Sequence, residues 1–238
     1  EKNRKAGESM DARETALLTL NECQRQGGWS DAILKKRLAS AGLDSRDGAL
    51  ATQLCFGVLQ NRLLLDFYLS HFSNLPLERM EGRVVEALRL GAYQMLFLDK
   101  IPHSAAVNAS VELTRKHCKN PRAAGMVNGI LRNLERSLDS LPAIPRENPV
   151  SYLSVLYSHP EWLVEEFLTA LGSEETARLL AANNSQAPIT AMVNTTKTTA
   201  EGLTEALAGE GVTAWPHPWL ADCLILSKTG NLEWLAAF

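Results

Sequence analysis

The residues best equipped for chemistry in this chain are basic, and they come in groups. Lys2, Arg4, Lys5 and Arg13 form one; Lys35, Lys36 and Arg37 a second; Arg115, Lys116, Lys119 and Arg122 a third; Arg132 and Arg136 a fourth. One such group is ordinarily a solvated face. Several of them, at the ends of helices in one domain, can bind phosphates, because neutralising phosphates releases counterions. Arg13 and Arg132 differ from the lysine runs. Each falls in a segment with a strong apolar stripe, where a guanidinium can be held for bidentate contacts. The structural alternative for each is an ion pair with an acid of the same domain.

Other chemistries lack their signatures. There is no GxGxxG, Walker loop, HExxH or GxSxG. The five histidines, His71, His103, His117, His159 and His217, are dispersed. Cys23, Cys55, Cys118 and Cys223 contain no CxxC pair and read as free thiols of a reducing compartment, with no metal site expected. Trp215-Pro216-His217-Pro218-Trp219 offers a stacking platform or, by default, a rigid loop whose tryptophans pack on neighbours. No apolar run is long enough to span a membrane, and no signal-peptide core opens the chain, so a cytoplasmic protein is expected.

The net charge of −3 is unevenly spread. Residues 1–150 hold 21 Lys+Arg and 17 Asp+Glu, net +4; residues 151–238 hold 3 and 10, net −7; together these give the chain totals of 24 and 27. Two modules are implied, and only the first suits phosphates.

The elements that must position the basic groups are helices. Asp11 and Glu14 have capping-box spacing before the stripe Ala12, Ala16, Leu17, Leu20 and Cys23. Ser30 is expected to cap a second helix, Asp44 or Ser45 a third, and Ser104 a sixth. The fourth carries Leu63, Leu64, Phe67 and Phe72. The fifth, about Leu77 to Leu98, is apolar almost all round, as a central helix is. The seventh follows Asn120-Pro121 and ends near Leu138. Glycines inside helices cost roughly 1 kcal/mol against alanine. Gly91 and Gly129 are therefore both expected at close helix approaches.

Pro142, Pro145 and Pro149 predict a linker. Helices at Pro160–Leu171 and Ser173–Asn183 follow. Then come a strand at Ile189–Thr195, a helix at Thr199–Ala208 and strands at Val212–Trp215 and Cys223–Ser227. The expected domains are an all-helical one at 1–142, a linker at 143–158 and a small α+β one at 159–238. The fold class is mainly α.

Particular segments carry a resemblance. Ala12-Arg13, Arg46, Leu54–Leu59, Leu65-Asp66, Leu88–Gln94, Ile101-Pro102-His103, Ala106-Val107-Asn108 and Val127–Arg132 resemble the NusB-like RNA-binding domain, over residues 9–140. Tyr157-Ser158-His159-Pro160-Glu161-Trp162-Leu163 and Ala182-Asn183-Asn184 are similar to the middle of the Sun/Fmu-type small-subunit rRNA methyltransferases. That family makes 5-methylcytosine in 16S rRNA with S-adenosylmethionine.

The resemblance implies an RNA-binding, substrate-targeting part of such an enzyme, with 16S rRNA as partner and no membrane or metal. A monomer is expected. Arg4, Lys5, Arg13, Lys116 and Arg132 are the expected RNA contacts. The chain opens at Glu1 and stops after Trp234–Phe238, where the family's cofactor loop and two catalytic cysteines would follow. A fragment is expected, itself holding no cofactor and no catalytic residue; none of its cysteines sits in a Pro-Cys or Thr-Cys-Ser context. After the double asparagine, Ser185–Pro188 and Ala191–Asn194 lack the family's arginines, which weakens the case for RNA contact from that strand. The alternatives are a transcription-antitermination RNA-binding module and a purely structural helical adaptor.

Overall fold

Asp11 opens α1 (Ala12–Gln26) by accepting the Glu14 N–H at 2.7 Å, and Gly27, left-handed at φ 61°, closes it. Asp44 caps α3 (Ser45–Gln60) in the same way. The expected serine caps differ. Helix α2 (Ser30–Ala41) is preceded by Trp29 and α6 (His103–His117) by Pro102, and neither supplies a side-chain cap. Helices α4 (Arg62–His71), α5 (Gly82–Phe97) and α7 (Ala123–Arg136) complete the helical bundle. The computed structural model describes residues 10–230 and 232–237. Arg4 and Lys5 lie outside them.

Helix α5 is the axis of this bundle, packed by α1, α3, α4, α6 and α7. Every residue from Val84 to Met95 is buried. A Cβ on Gly91 would sit 2.5 Å from Leu131 Cδ1 and 2.8 Å from Ser110 Oγ, so α7 and α6 approach only because that side chain is missing. Gly57 does the same for α3, since its Cβ would fall within 2.0 Å of the Tyr93 ring. Gly129 does not: it is exposed, with nothing within 4 Å of a Cβ there. The packing role expected of it is therefore corrected. It lies on the outer face of α7, while Val127, Ile130, Leu131 and Leu134 face the core.

Two carboxylates hold Arg89 inside α5. Its Nε and Nη2 donate to Asp66 Oδ1 and Oδ2, each at 2.7 Å, and Nη1 donates to Glu86 Oε1 at 2.6 Å. Arg89 is thus structural.

The expected linker is helical in part. Asn148 accepts the N–H groups of Val150 and Ser151, and Pro149 takes the first position of α8 (Pro149–Tyr157). A proline there suits a helix start, since its missing N–H would have no intrahelical partner. Helix α8 packs on α4 and on α9 (Glu161–Asn183), with Leu153, Val164 and Leu180 as a small separate core. Gly172, at φ 77° and ψ 173°, is non-helical and divides α9 into the two expected helices.

By contacts the chain divides between Asn184 and Ser185, so the helices at 149–183 belong with the bundle rather than with the sheet. The second unit, described by itself, has β1 (Ile189–Met192), α10 (Ala200–Gly209), β2 (Thr213–Pro216) and β3 (Cys223–Ser227). Its order is β1-β3-β2, all antiparallel, with Ala191 opposite Leu224 and Trp215 opposite Ile225. Val193, Leu207, Val212, Leu224 and Leu226 form its core.

Candidate nucleic-acid interface

The first turn of α1 sets two side chains. Arg13 Nε donates to Gln94 Oε1 at 2.7 Å, and Gln94, only 1% exposed, donates its own Nε2 to the Leu90 carbonyl at 2.9 Å. A buried amide thereby aims the guanidinium without cancelling its charge. Next to it, Glu14 is buried. Its Oε2 accepts from Lys116 Nζ at 2.9 Å, and its Oε1 lies 2.9 Å from His117 Nε2. Arg83 Nη1 donates to the His117 carbonyl at 2.8 Å, tying the start of α5 to the end of α6.

The C-terminal turn of α6 is therefore strongly basic, with Arg115, Lys116 and His117, as a helix C-terminus favours. Burial lowers the His117 pKa below its ordinary 6.5, with Glu14 opposing and Lys116 and Arg83 adding to the fall. At neutral pH its imidazole is thus an uncharged donor to Glu14, and Lys116 supplies the positive charge.

Of the expected contacts, Arg13 is held by Gln94, and Lys116 is held by Glu14, the residue that follows Arg13 on α1. Arg132 is not part of that arrangement. Its Nη1 donates to Glu135 Oε2 at 2.8 Å on its own helix. Among the remaining basic residues, Arg37 pairs with Glu22, Arg115 with Glu112, and Arg136 bonds Asn133.

Gln94 was missed by sequence reasoning. The available signal was an amide inside an otherwise apolar helix, which needs a buried partner.

The segments that follow the bundle are structural. Ser158, left-handed at φ 55°, accepts the Leu64 N–H at 3.1 Å through its hydroxyl. Ser154 donates to the His159 carbonyl at 2.6 Å. Asn184 donates to the Tyr157 carbonyl at 2.8 Å, and Gln60 donates to the Asn184 carbonyl at 2.9 Å. Tyr157–Pro160 and Asn183-Asn184 thus form one clasp on α3 and α4. Contrary to the packed loop expected by default, Trp219 is 81% exposed and Trp215 is 43% exposed. His217 holds that loop by accepting the Leu220 N–H at 3.1 Å.

All four cysteines are free. Burial pushes the Cys55 thiol up to about 12 and Cys118 up to about 11, and raises Cys23 as well. These three stay protonated at neutral pH and are poor nucleophiles. Among the described residues no helix is long and apolar enough to cross a membrane, and no group of three His, Cys, Asp or Glu side chains is placed to hold a metal ion.

Comparison with known proteins places these features in a family. Residues 10–136 match the NusB family, and residues 159–233 match a Methyltr_RsmF/B-like, ferredoxin-like domain. The "Probable ribosomal RNA small subunit methyltransferase B" of Bacillus subtilis (strain 168) is 35% identical over 217 residues, covering 91% of this chain and 48% of that protein. Its counterpart in Synechocystis sp. is 29% identical over 230 residues, covering 96% of this chain and 51% of that one. The chain spans about half the length of the curated relatives it matches. A crystal structure of PH0851 shares the fold at a TM-score of 0.66 and 16% identity, over 97% of this chain and 52% of that one. With over half its length matched by that family and an RsmF/B-like segment following, the chain belongs to the NusB family.

Proposed function

We propose that this chain is the RNA-binding, substrate-targeting part of an S-adenosylmethionine-dependent rRNA (cytosine-C5) methyltransferase, with 16S rRNA as its partner. The observation that carries the reading is the Arg13–Gln94 contact. An arginine is fixed by a neutral, buried acceptor at the start of α1, and the next residue, Glu14, holds Lys116. Fixed cations of this kind suit phosphate contacts, which position a nucleic acid without reading its sequence. The relatives' names supply the substrate, a small-subunit rRNA. Arg4, Lys5 and Arg132 are further RNA contacts in this proposal.

S-adenosylmethionine supplies the methyl group in such enzymes, but the described residues do not fit it. The one described sheet is wholly antiparallel, without the parallel strand–helix turn that cradles such cofactors. Cofactor and cysteine chemistry are assigned to the half of the relatives that this chain does not span. The protein acts in the cytoplasm, as a monomer.

The test is fluorescence anisotropy of this chain with labelled fragments of small-subunit and large-subunit rRNA. Preferential binding to the small-subunit fragment is expected, with no methyl transfer by this chain alone. Failure to bind either RNA overturns the reading.

A further inference from the structure

At the other end of α1, a groove of about 760 Å³ opens between α1 and the start of α5. Three features converge on it. First, the N-terminus of α5 has no side-chain cap. Val84 and Val85 bond back to the Glu81 carbonyl at 2.8 and 3.2 Å, which leaves the N–H groups of Gly82 and Arg83 with no partner among the described residues. Such orphan donors at the positive end of a helix are a general anion-binding device.

Second, Asn21 lines the groove, is only 8% exposed, and has no side-chain hydrogen bond among the described residues. Its Nδ2 would lie 3.2 Å from a Cβ on Gly82, so the amide points at the first residue of α5. With no protein partner among the described residues, this amide is available to donate to a ligand oxygen in the groove.

Third, Arg25, Arg62, Arg83 and Lys119 line the groove. The acids beside them are largely committed elsewhere. Asp66 takes two bonds from Arg89, and Glu81 accepts the Lys119 N–H at 3.0 Å instead of capping its own helix. Glu78 remains on the rim.

We propose that this groove is a phosphate-binding site, with the Gly82 and Arg83 N–H groups and the Asn21 amide as donors and Arg25, Arg62 and Lys119 supplying charge. Asn21 lies about 12 Å along α1 from Arg13, so the site is separate from the interface above. The phosphate is either a phosphodiester of bound RNA, which rests on the proposed function, or a free phosphate group, which does not.

The test follows amide resonances of the whole 15N-labelled chain during two titrations. One uses inorganic phosphate at ionic strength held constant with chloride; the other uses a short single-stranded RNA. Saturable shifts of Gly82, Arg83 and the Asn21 side-chain amide are expected. Arg62→Gln, at an exposed position, should weaken binding about tenfold, and Asn21→Leu should abolish it. Shifts with both probes identify a phosphodiester, and shifts with phosphate alone identify a free phosphate. Gly82 and Arg83 unmoved by both probes overturns the site, even where RNA still binds at Arg13. Phosphate binding without RNA binding keeps the site and removes the RNA reading instead. Unchanged affinity in both variants also overturns the site.

Discussion

Arg13 and Gln94 meet across 81 residues of sequence, Nε to Oε1 at 2.7 Å. Arg89, one turn and a half earlier on α5, is treated differently. It is gripped by Asp66 and Glu86, two carboxylates that cancel its charge. The same helix therefore holds one arginine as a neutralised strut and aims another with its charge intact. The contrast separates a structural guanidinium from one that can meet phosphate.

Gln94→Leu keeps the apolar surroundings but removes the acceptor. RNA affinity should fall about threefold to tenfold, while the salt slope persists because the charge remains. Gln94→Glu keeps the contact but neutralises Arg13, and should flatten the salt slope by about one. Anisotropy at several salt concentrations checks both. Equal behaviour of the two variants would contradict the distinction between aiming and neutralising.

Arg132→Gln should weaken RNA binding less than Arg13→Gln does. Glu135 already pairs with Arg132 at 2.8 Å, so part of its charge is answered within the protein. A larger effect at Arg132 would show that the interface centres on α7.

The two helix glycines should respond with opposite signs. Gly91→Ala forces a Cβ against Leu131 and Ser110 and should destabilise by about 1–3 kcal/mol. Gly129→Ala meets nothing and should stabilise by about 0.5–1 kcal/mol through helix propensity. Thermal melting reads both, and a loss of stability at Gly129 would contradict the open environment found there.

That pair also shows what the sequence could and could not convey. Helix periodicity is local, so the bundle, the central α5 and the three strands were legible. So was Gly91, because the segment around it is apolar all round. Gly129 looked alike in propensity, but only the direction of its face settles its role. Pro149 reads as a breaker from sequence, although with Asn148 before it a proline begins a helix. Gln94 was unassigned because its partner lies 81 residues away. The family segments were recognisable at Tyr157–Trp162, yet their work, a clasp between Ser158, Asn184 and the α3–α4 corner, depends on contacts that no periodicity encodes.

Removing the positive member of the buried cluster should be severe. Arg89→Met leaves the Glu86 carboxylate buried without a partner, and burial is what already raises its pKa. The expected loss is about 3–5 kcal/mol, with partial recovery in Glu86→Gln/Arg89→Met. Urea denaturation measures both, and a loss below about 1 kcal/mol would contradict the role assigned to the cluster.

His117 predicts a pH dependence of fixed sign. Its folded pKa lies below 6.5, so as pH falls below about 6.5 the unfolded chain takes up a proton that the folded chain refuses. Stability from this group is complete at neutral pH and lost as pH falls toward the folded value. Glu86, raised by burial, acts with the opposite sign, losing stabilisation as pH rises through its folded value. The comparison of His117→Gln with the parent isolates the histidine. The difference in urea midpoint between pH 7.5 and pH 5.5 should shrink in the variant, and an unchanged difference would contradict the shift.

The central claim is that α1 presents a fixed cation to rRNA. Its most direct test is the affinity of this chain for a small-subunit rRNA fragment between about 50 and 200 mM salt, with and without Arg13→Gln. The account predicts affinity that falls steeply with salt, and a slope reduced by about one in the variant. Salt-independent binding, or identical slopes for the two proteins, would contradict it.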